Sequence, residues 1–371
     1  MALQIKKVPA QAGGISAKAL LTKLSASMGD IGCIGGYLGD ATRIPTGLFP
    51  LDVALGGGFP RGRVSMIYGP ESSCKTNIAL RAIAMHQMLW PHLTCVFVDV
   101  ENHFDPAWAK KMGVNTDELI VLRPGFAEKA VDLIEAFLMT DDCGLVVVDS
   151  IAALMSTSEG EASAERANVG GTSTPITKLY RKTTHIFGEA EKLGRFPTLI
   201  YINQITFKIG VVYGNPETFP GGQKPKYQSS MILRVYGTNV EDAKINQFLP
   251  IAKDVKFIVK KHKYPVLQTT GDFRMITVPY AGFHVGECDD YSTIKAYLEQ
   301  LGLLEKADKK GWTIMGEHYD IQETFKSRYR TDPKFAQVVR QKIAKESLIA
   351  SKMIEKGDMS DKPDENPAAA A

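Results

Sequence analysis

A turn from strand into helix fixes more about this chain than any other stretch of it. The apolar run Val64–Tyr68 is followed at once by Gly69-Pro70-Glu71-Ser72-Ser73-Cys74-Lys75-Thr76, and a helical pattern starts near Asn77. In that context the backbone N–H groups at the helix start can hold phosphate oxygens, Lys75 reaches the terminal phosphates, and the Thr76 hydroxyl can ligate Mg2+. Taken alone, the same residues would also suit a solvated turn. Cys74 stands where the usual pattern has glycine, and a Cβ there restricts the dihedrals of the backbone that wraps the phosphates.

Two further apolar runs end in acids. Leu145-Val146-Val147-Val148-Asp149 puts a carboxylate at the end of a strand, where Asp149 can hold the hydration shell of magnesium. Thr94–Asp99 continues into Val100-Glu101, which places Glu101 to orient or deprotonate a water in line with the γ-phosphate. Each is common by itself; behind a phosphate loop they reinforce it.

From Thr42 to Val285 short apolar runs alternate with helical patterns. The runs are Val64–Tyr68, Thr94–Asp99, Leu145–Asp149, Thr198–Asn203, Met231–Tyr236, Val255–Lys260 and Arg274–Pro279. Continuous strands rich in Val and Ile are buried on both faces, so the fold class is α/β with a mostly parallel central sheet. Helical patterns at Asn77–Trp90, Pro106–Met112, Ala127–Met139 and Pro175–Leu193 supply the crossovers. The last three strands lack long helices between them, which predicts an antiparallel extension at one edge. Ahead of this core, Ala17–Met28 forms a short helical pattern that docks on the core or on another copy of the chain, and Gly32–Gly39 is glycine-rich. After Asp289 the pattern reads helix, turn, helix, with the helices at Tyr291–Leu301 and Pro333–Ala350. Residues 305–356 carry 12 Lys/Arg against 8 Asp/Glu, and the tail Gly357–Ala371 is expected to be disordered.

Composition narrows the function classes. With 371 residues, 44% hydrophobic and 23% charged, the chain is neither collagen-like nor mostly disordered. Lys+Arg of 44 against Asp+Glu of 41 leaves a net charge of +3, so any nucleic-acid contact must come from local clustering. The five cysteines show no zinc spacing and read as reduced thiols. No apolar run approaches the ~18 residues of a membrane span, and Met1–Lys7 has no apolar leader. The expectation is a soluble, cytoplasmic protein with no membrane partner.

Longer motifs carry a family resemblance. Pro45-Thr46-Gly47, Leu51–Gly58, Ile67–Thr76, Asp105–Val114 and Asn203–Thr218 together resemble the bacterial RecA recombinases from about Thr42 to Tyr280. The resemblance implies a RecA-like P-loop NTPase core over 42–285, an N-terminal helical polymerisation segment over 1–41, and a small C-terminal α+β domain over 286–356. It implies an ATP- and Mg2+-dependent recombinase, a DNA-stimulated ATPase, that forms a helical filament of its own copies on single-stranded DNA and exchanges strands with double-stranded DNA. The substituted phosphate loop leans toward a phage-encoded member.

By matching position, Gly69, Pro70, Glu71, Ser72, Ser73, Cys74, Lys75 and Thr76 bind the triphosphate, Glu101 activates water, and Thr76 with Asp149 serves Mg2+. Asp105 and Trp108 fall where the family contacts adenine, with tryptophan in place of tyrosine, and Tyr280 lines the base. Gln204 occupies the place of the γ-phosphate sensor. The segment Ile205–Gly222 corresponds to a DNA-binding loop, with Lys208, Ile209, Gly210, Tyr213, Gly214 and Asn215 as its candidates. A first loop, Ser156–Thr172, would add Arg166, Gly170 and Gly171. Lys253–Lys263 holds five lysines and one aspartate. Of these, Lys261 and Lys263 are chosen as the pair that reaches the neighbouring protomer's ATP. Two other readings share the core: a DNA-binding filament scaffold with weak ATPase activity, and a ring-forming helicase.

Overall fold

The computed structural model describes residues 42–153, 173–207, 217–220, 224–264, 266, 268–280, 282–307 and 311–357. By compactness the chain divides between Ala41 and Thr42, so these residues all lie in the second unit. The expected N-terminal helix, the glycine-rich stretch after it, the loop Ser156–Thr172 and the tail beyond Gly357 lie outside the described residues.

The strands in chain order are β1 (Arg43–Ile44), β2 (Phe59–Pro60), β3 (Val64–Gly69), β4 (Thr94–Asp99), β5 (Leu119–Leu122), β6 (Cys143–Asp149) and β7 (Thr198–Gln204). They continue with β8 (Thr206–Phe207), β9 (Glu217–Thr218), β10 (Met231–Val240), β11 (Ala252–His262), β12 (Thr270–Ile276) and β13 (Cys288–Asp289). The helices of this region are α1 (Phe49–Ala54), α2 (Lys75–Leu89), α3 (Pro106–Lys111), α4 (Ala127–Leu138), α5 (Ser173–Lys192) and α6 (Lys224–Gln228). The main sheet runs β13-β12-β11-β10-β3-β7-β6-β4-β5. From β10 to β5 every pair is parallel. From β10 outward to β13 every pair is antiparallel.

The continuous apolar runs follow from a sheet covered on both faces. Along β6, Leu145 and Val147 pack into one core with Ile78 and Ile83, while Val146 and Val148 pack into the other with Val131 and Ile134. Alternate residues therefore point to opposite cores, and neither face can be polar. The antiparallel edge exists as expected, but Met231 begins a strand that joins β3 in parallel, so the reversal starts one strand later. β5 was absent from the expected strands because four residues at a sheet edge are too short to show a pattern. β12 begins at Thr270 rather than Arg274, since its polar first half earns its place by pairing with β11.

Beyond β13 the chain forms α7 (Tyr291–Gln300), the antiparallel sheet β14 (Leu304–Lys306), β15 (Trp312–Ile314) and β16 (Glu317–Tyr319), then α8 (Gln322–Thr331) and α9 (Pro333–Gly357). A separate apolar cluster of Ile294, Leu298, Ile314, Phe325, Val339 and Ile343 holds these elements together. Asp332 caps α9 by accepting from Lys334 N at 3.0 Å and Phe335 N at 3.1 Å, with Pro333 fixing the first turn. The stretch around Trp312 read as a turn is a small sheet, in keeping with the α+β region the resemblance implied, though its three-residue strands leave no periodic signal. Among the described residues no helix is long and apolar enough to cross a membrane, and Cys74, Cys95, Cys143 and Cys288 are all free and buried.

One buried group ties the core to pH. His86, on α2, is fully buried, with its Nδ1 at 3.3 Å from Cys95 Sγ and its ring packed against Gly144, where a Cβ would collide with it. Burial, with Arg61 and His92 adding to it, pushes its pKa down to about 4. The unfolded chain takes up this proton near pH 6.5 and the folded chain only near 4. The unfolded state therefore binds more protons in between, and stability falls as pH falls through that window. We expect His86 to cost about 3 kcal/mol of stability between pH 7 and pH 4. Denaturant unfolding of the wild type and of His86→Leu checks this: the variant should have a flatter pH profile, and parallel profiles would refute it.

Candidate functional site

The site is built at the carboxyl ends of β3, β4, β6 and β7. β3 leads straight into the loop, and Gly69 has to be glycine because a Cβ would strike the Val235 carbonyl of the neighbouring β10. Ser73 is buried and its hydroxyl donates to Pro70 O at 2.7 Å, closing the loop on itself. α2 starts from Cys74 with no side-chain cap, which leaves the N–H groups of its first turn directed at the loop. Lys75 donates from Nζ to Gly69 O at 3.1 Å and Pro70 O at 2.5 Å. Burial lowers its pKa, while Asp149, Glu101 and Glu71 pull it back up.

Cys74 adopts φ 69°, the left-handed conformation that glycine supplies without steric cost. Ser72 is also left-handed, at φ 57°. The sequence concern about this position is therefore met in a definite way: the backbone keeps the glycine-like turn, and the thiol is tucked into the core beside Ile78. Burial pushes the Cys74 thiol up to about 11, against the opposing influence of Lys253, Asn77 and Lys75.

Across the loop lie the acids. Thr76 Oγ1 donates to Asp149 Oδ2 at 2.6 Å. Glu101 Oε1 accepts from Ser150 Oγ at 2.6 Å and from Gln204 Nε2 at 3.1 Å. Asp99 is buried and accepts from His103 N at 3.0 Å, Phe104 N at 3.1 Å and Arg123 Nε at 3.1 Å. Burial raises the Asp149 pKa to about 6, and Glu101 and Asp99 push the same way while Thr76 and Lys75 oppose them. Glu101 and Asp99 thus add negative charge around Asp149.

A cavity of about 190 Å³ joins Thr76, Asp149 and Glu101 to Asp105 and Trp108. Asp105 caps α3 through one oxygen, accepting from Ala107 N at 2.8 Å and Trp108 N at 3.2 Å. The Trp108 indole donates to Asn77 Oδ1 at 2.9 Å, which fixes the ring from α2. Tyr280 sits elsewhere, against Phe283, Ile251 and Ile276.

Gln204 ends β7, and the chain there enters the long segment predicted as a DNA loop. Residues 208–216 of that segment, with Lys208, Ile209, Gly210, Tyr213, Gly214 and Asn215, lie outside the described residues, as do Arg166, Gly170 and Gly171. Residues 205–207 and 217–220 of it are described, and residues 221 and 222 also lie outside the described residues. β8 and β9 pair in antiparallel, Thr206 with Thr218 and Phe207 with Glu217. Glu217 forms an ion pair with Arg234 of β10, whose guanidinium lies 3.9 Å over the Tyr236 ring. Phe219 packs edge-on against Tyr68, the residue before Gly69, with centroids 5.2 Å apart. Asn203 Nδ2 donates to Pro220 O at 3.1 Å. The described parts of the segment are therefore held by β7, by β10 and by Tyr68 of β3.

Lys261 lies near the end of β11 and Lys263 just past it. Lys261 Nζ donates to the carbonyls of Lys226 and Tyr227, both at 2.7 Å. Lys253, at the other end of β11, donates instead to Ser72 O at 2.7 Å. Eight residues of strand separate Lys253 from Lys261, roughly 26 Å. Sequence reasoning missed Lys253, Asn77, Arg123 and Ser150. Lys253 lay inside a lysine run whose alternation says nothing about which member meets the loop, and the other three carry no motif.

A phosphate loop between a central parallel strand and its helix, with its threonine bonded to the acid that ends another strand, defines a P-loop α/β protein. The family model described as the RecA N-terminal domain matches residues 33–277. The chain belongs to the RecA family. It is 44% identical over 193 residues to Protein RecA of Oceanobacillus iheyensis, covering 52% of this chain and 54% of that protein. Against Protein RecA of Gloeobacter violaceus it is 42% identical over 223 residues, covering 59% and 58%. The chain thus spans just over half the length of these curated relatives. A crystal structure of the RadB recombinase aligns with a TM-score of 0.45 at 23% identity, covering 63% of this chain and 96% of that one.

Proposed function

We propose that this chain is an ATP-dependent DNA recombinase that assembles as a helical filament on single-stranded DNA, pairs it with a homologous duplex and exchanges strands in the cytoplasm. Gly69–Thr76 would hold the triphosphate, with adenine between Asp105 and Trp108. Tyr280, packed beside Ile251, Ala252, Ile276 and Phe283, would be a further contact to the base. Residues 42–285 would carry the chemistry, 1–41 the polymerising contact, and 286–356 a module with its own core.

The donor set suits magnesium. Among the described residues no three or more His, Cys, Asp or Glu side chains are grouped to hold a metal by themselves. Mg2+ bound through substrate phosphates needs only one or two protein oxygens, and Thr76 and Asp149 offer them amid excess negative charge. When bound, the ion would neutralise charge on the phosphates. Glu101 would orient the attacking water and take its proton.

The observation that carries the reading is the 3.1 Å hydrogen bond from Gln204 to Glu101. It joins the water-orienting acid to the residue that ends β7, directly before the proposed DNA loop, so rearrangement of that loop on DNA would be felt at the acid. Lys261 and Lys263 stand too far from their own phosphate loop to act there, which supports a role on the next protomer. Cys74 supports the weaker-ATPase scaffold as a second reading, because its left-handed backbone carries a steric cost in the loop itself.

Phosphate release measured with and without single-stranded DNA tests the choice. We expect hydrolysis to rise at least ~10-fold on DNA, a shift of about 1.4 kcal/mol in barrier. Equal rates would remove the coupling through Gln204, and filaments without hydrolysis would select the scaffold.

A further inference from the structure

We propose that Lys253 acts as a positioning residue that clamps the phosphate loop from behind and compensates for the glycine missing at position 74. The proposal rests on the reading of Gly69–Thr76 as a nucleoside triphosphate site.

Three observations carry it. First, the loop contains two left-handed residues with side chains, Ser72 at φ 57° and Cys74 at φ 69°, on either side of Ser73. A Cβ disfavours that conformation, so an unsupported loop would relax toward other backbone angles. Second, Lys253 Nζ donates at 2.7 Å to the carbonyl of Ser72, the first of the two left-handed residues, and so holds the peptide between Ser72 and Ser73. A charged donor makes a stronger hydrogen bond than a neutral one. Third, Lys253 is held in place by the ribbon that backs the loop. It pairs with Asn239 across β10 and β11, two residues beyond Gly237, where a Cβ would come within 2.9 Å of Ser72 O and 3.0 Å of Ser73 Cα.

The ammonium therefore acts on the backbone of the loop. It fixes the Ser72 carbonyl outward, which leaves the following N–H groups facing the anion, and its charge adds to the positive field there. Cys74 feels that same charge, as its thiol is drawn down by Lys253 more than by Lys75. A glycine at 74 would hold the turn without help. With cysteine there, the fastening comes from a strand far away in sequence.

Nucleotide affinity tests this, read by titration of a fluorescent ATP analogue together with kcat and KM for ATP on DNA. The full chain would be compared as wild type, Lys253→Met, Lys253→Arg, Cys74→Gly and the double variant Lys253→Met/Cys74→Gly. We expect Lys253→Met to weaken binding and raise KM about 10-fold while kcat stays within about twofold. Lys253→Arg should restore binding. In the Cys74→Gly background the same Lys253→Met change should cost less than about threefold. Unchanged affinity in Lys253→Met would overturn the proposal, and so would an equal loss in both backgrounds. A wild type that binds no nucleotide would overturn the phosphate-site reading beneath it, and this proposal with it.

Discussion

Lys75→Ala removes nucleotide turnover. The side chain is buried, its ammonium lies within the loop against Gly69 O and Pro70 O, and the negative charges of Asp149, Glu101 and Glu71 surround it. It is the lysine of the proposed phosphate loop itself, so its loss would act on the ground state and on the charge that develops as the bond to the γ-phosphate breaks. A charge-assisted hydrogen bond contributes about 1.5–3 kcal/mol, and a preorganised donor to developing charge about 2.7–4 kcal/mol. We expect DNA-stimulated hydrolysis to fall by at least ~10², with nucleotide affinity falling beside it. The fold should survive, because alanine favours the first turn of α2 and the change removes a buried charge. Phosphate release and thermal melting together check this. Wild-type turnover in a folded variant would end the phosphate-loop assignment.

Glu101→Gln separates binding from chemistry. Glutamine keeps the shape and can still accept from Ser150 and Gln204, which hold Glu101 Oε1 at 2.6 Å and 3.1 Å. It cannot take a proton. A general base is typically responsible for about 10²–10⁴ in rate, so hydrolysis should fall by roughly two orders of magnitude or more while ATP affinity stays within a few-fold. Single-turnover hydrolysis and nucleotide titration measure the two halves. Unchanged hydrolysis would move the water-orienting role to another acid, and Asp99 is a poor substitute because it is buried and committed to Arg123, His103 N and Phe104 N.

The parts of the structure legible in the sequence are those where one physical demand dominates a run of residues. Burial on both faces forces Val146–Val148 to be apolar, and the phosphate loop needs Lys75 and Thr76 next to each other, so strand and motif announce themselves. What stayed hidden depends on tertiary placement. β14, β15 and β16 are held by neighbours rather than by their own pattern. Lys253 and Lys261 look alike in the lysine run, yet the β10–β11 pairing sends one to the phosphate loop and the other to the opposite end of the strand. Asp105 was read through the family as a base contact, and the chain also uses it to start α3, a second duty visible only once Ala107 N and Trp108 N are seen to point at it.

The buried thiol at the heart of the phosphate loop bears on when such a protein must work. Peroxides and disulfides attack the thiolate, and a cysteine whose proton leaves only near 11 offers almost none of it at neutral pH. Oxidative conditions break DNA, and under them the proposed phosphate loop of a recombinase built this way would keep its thiol protonated.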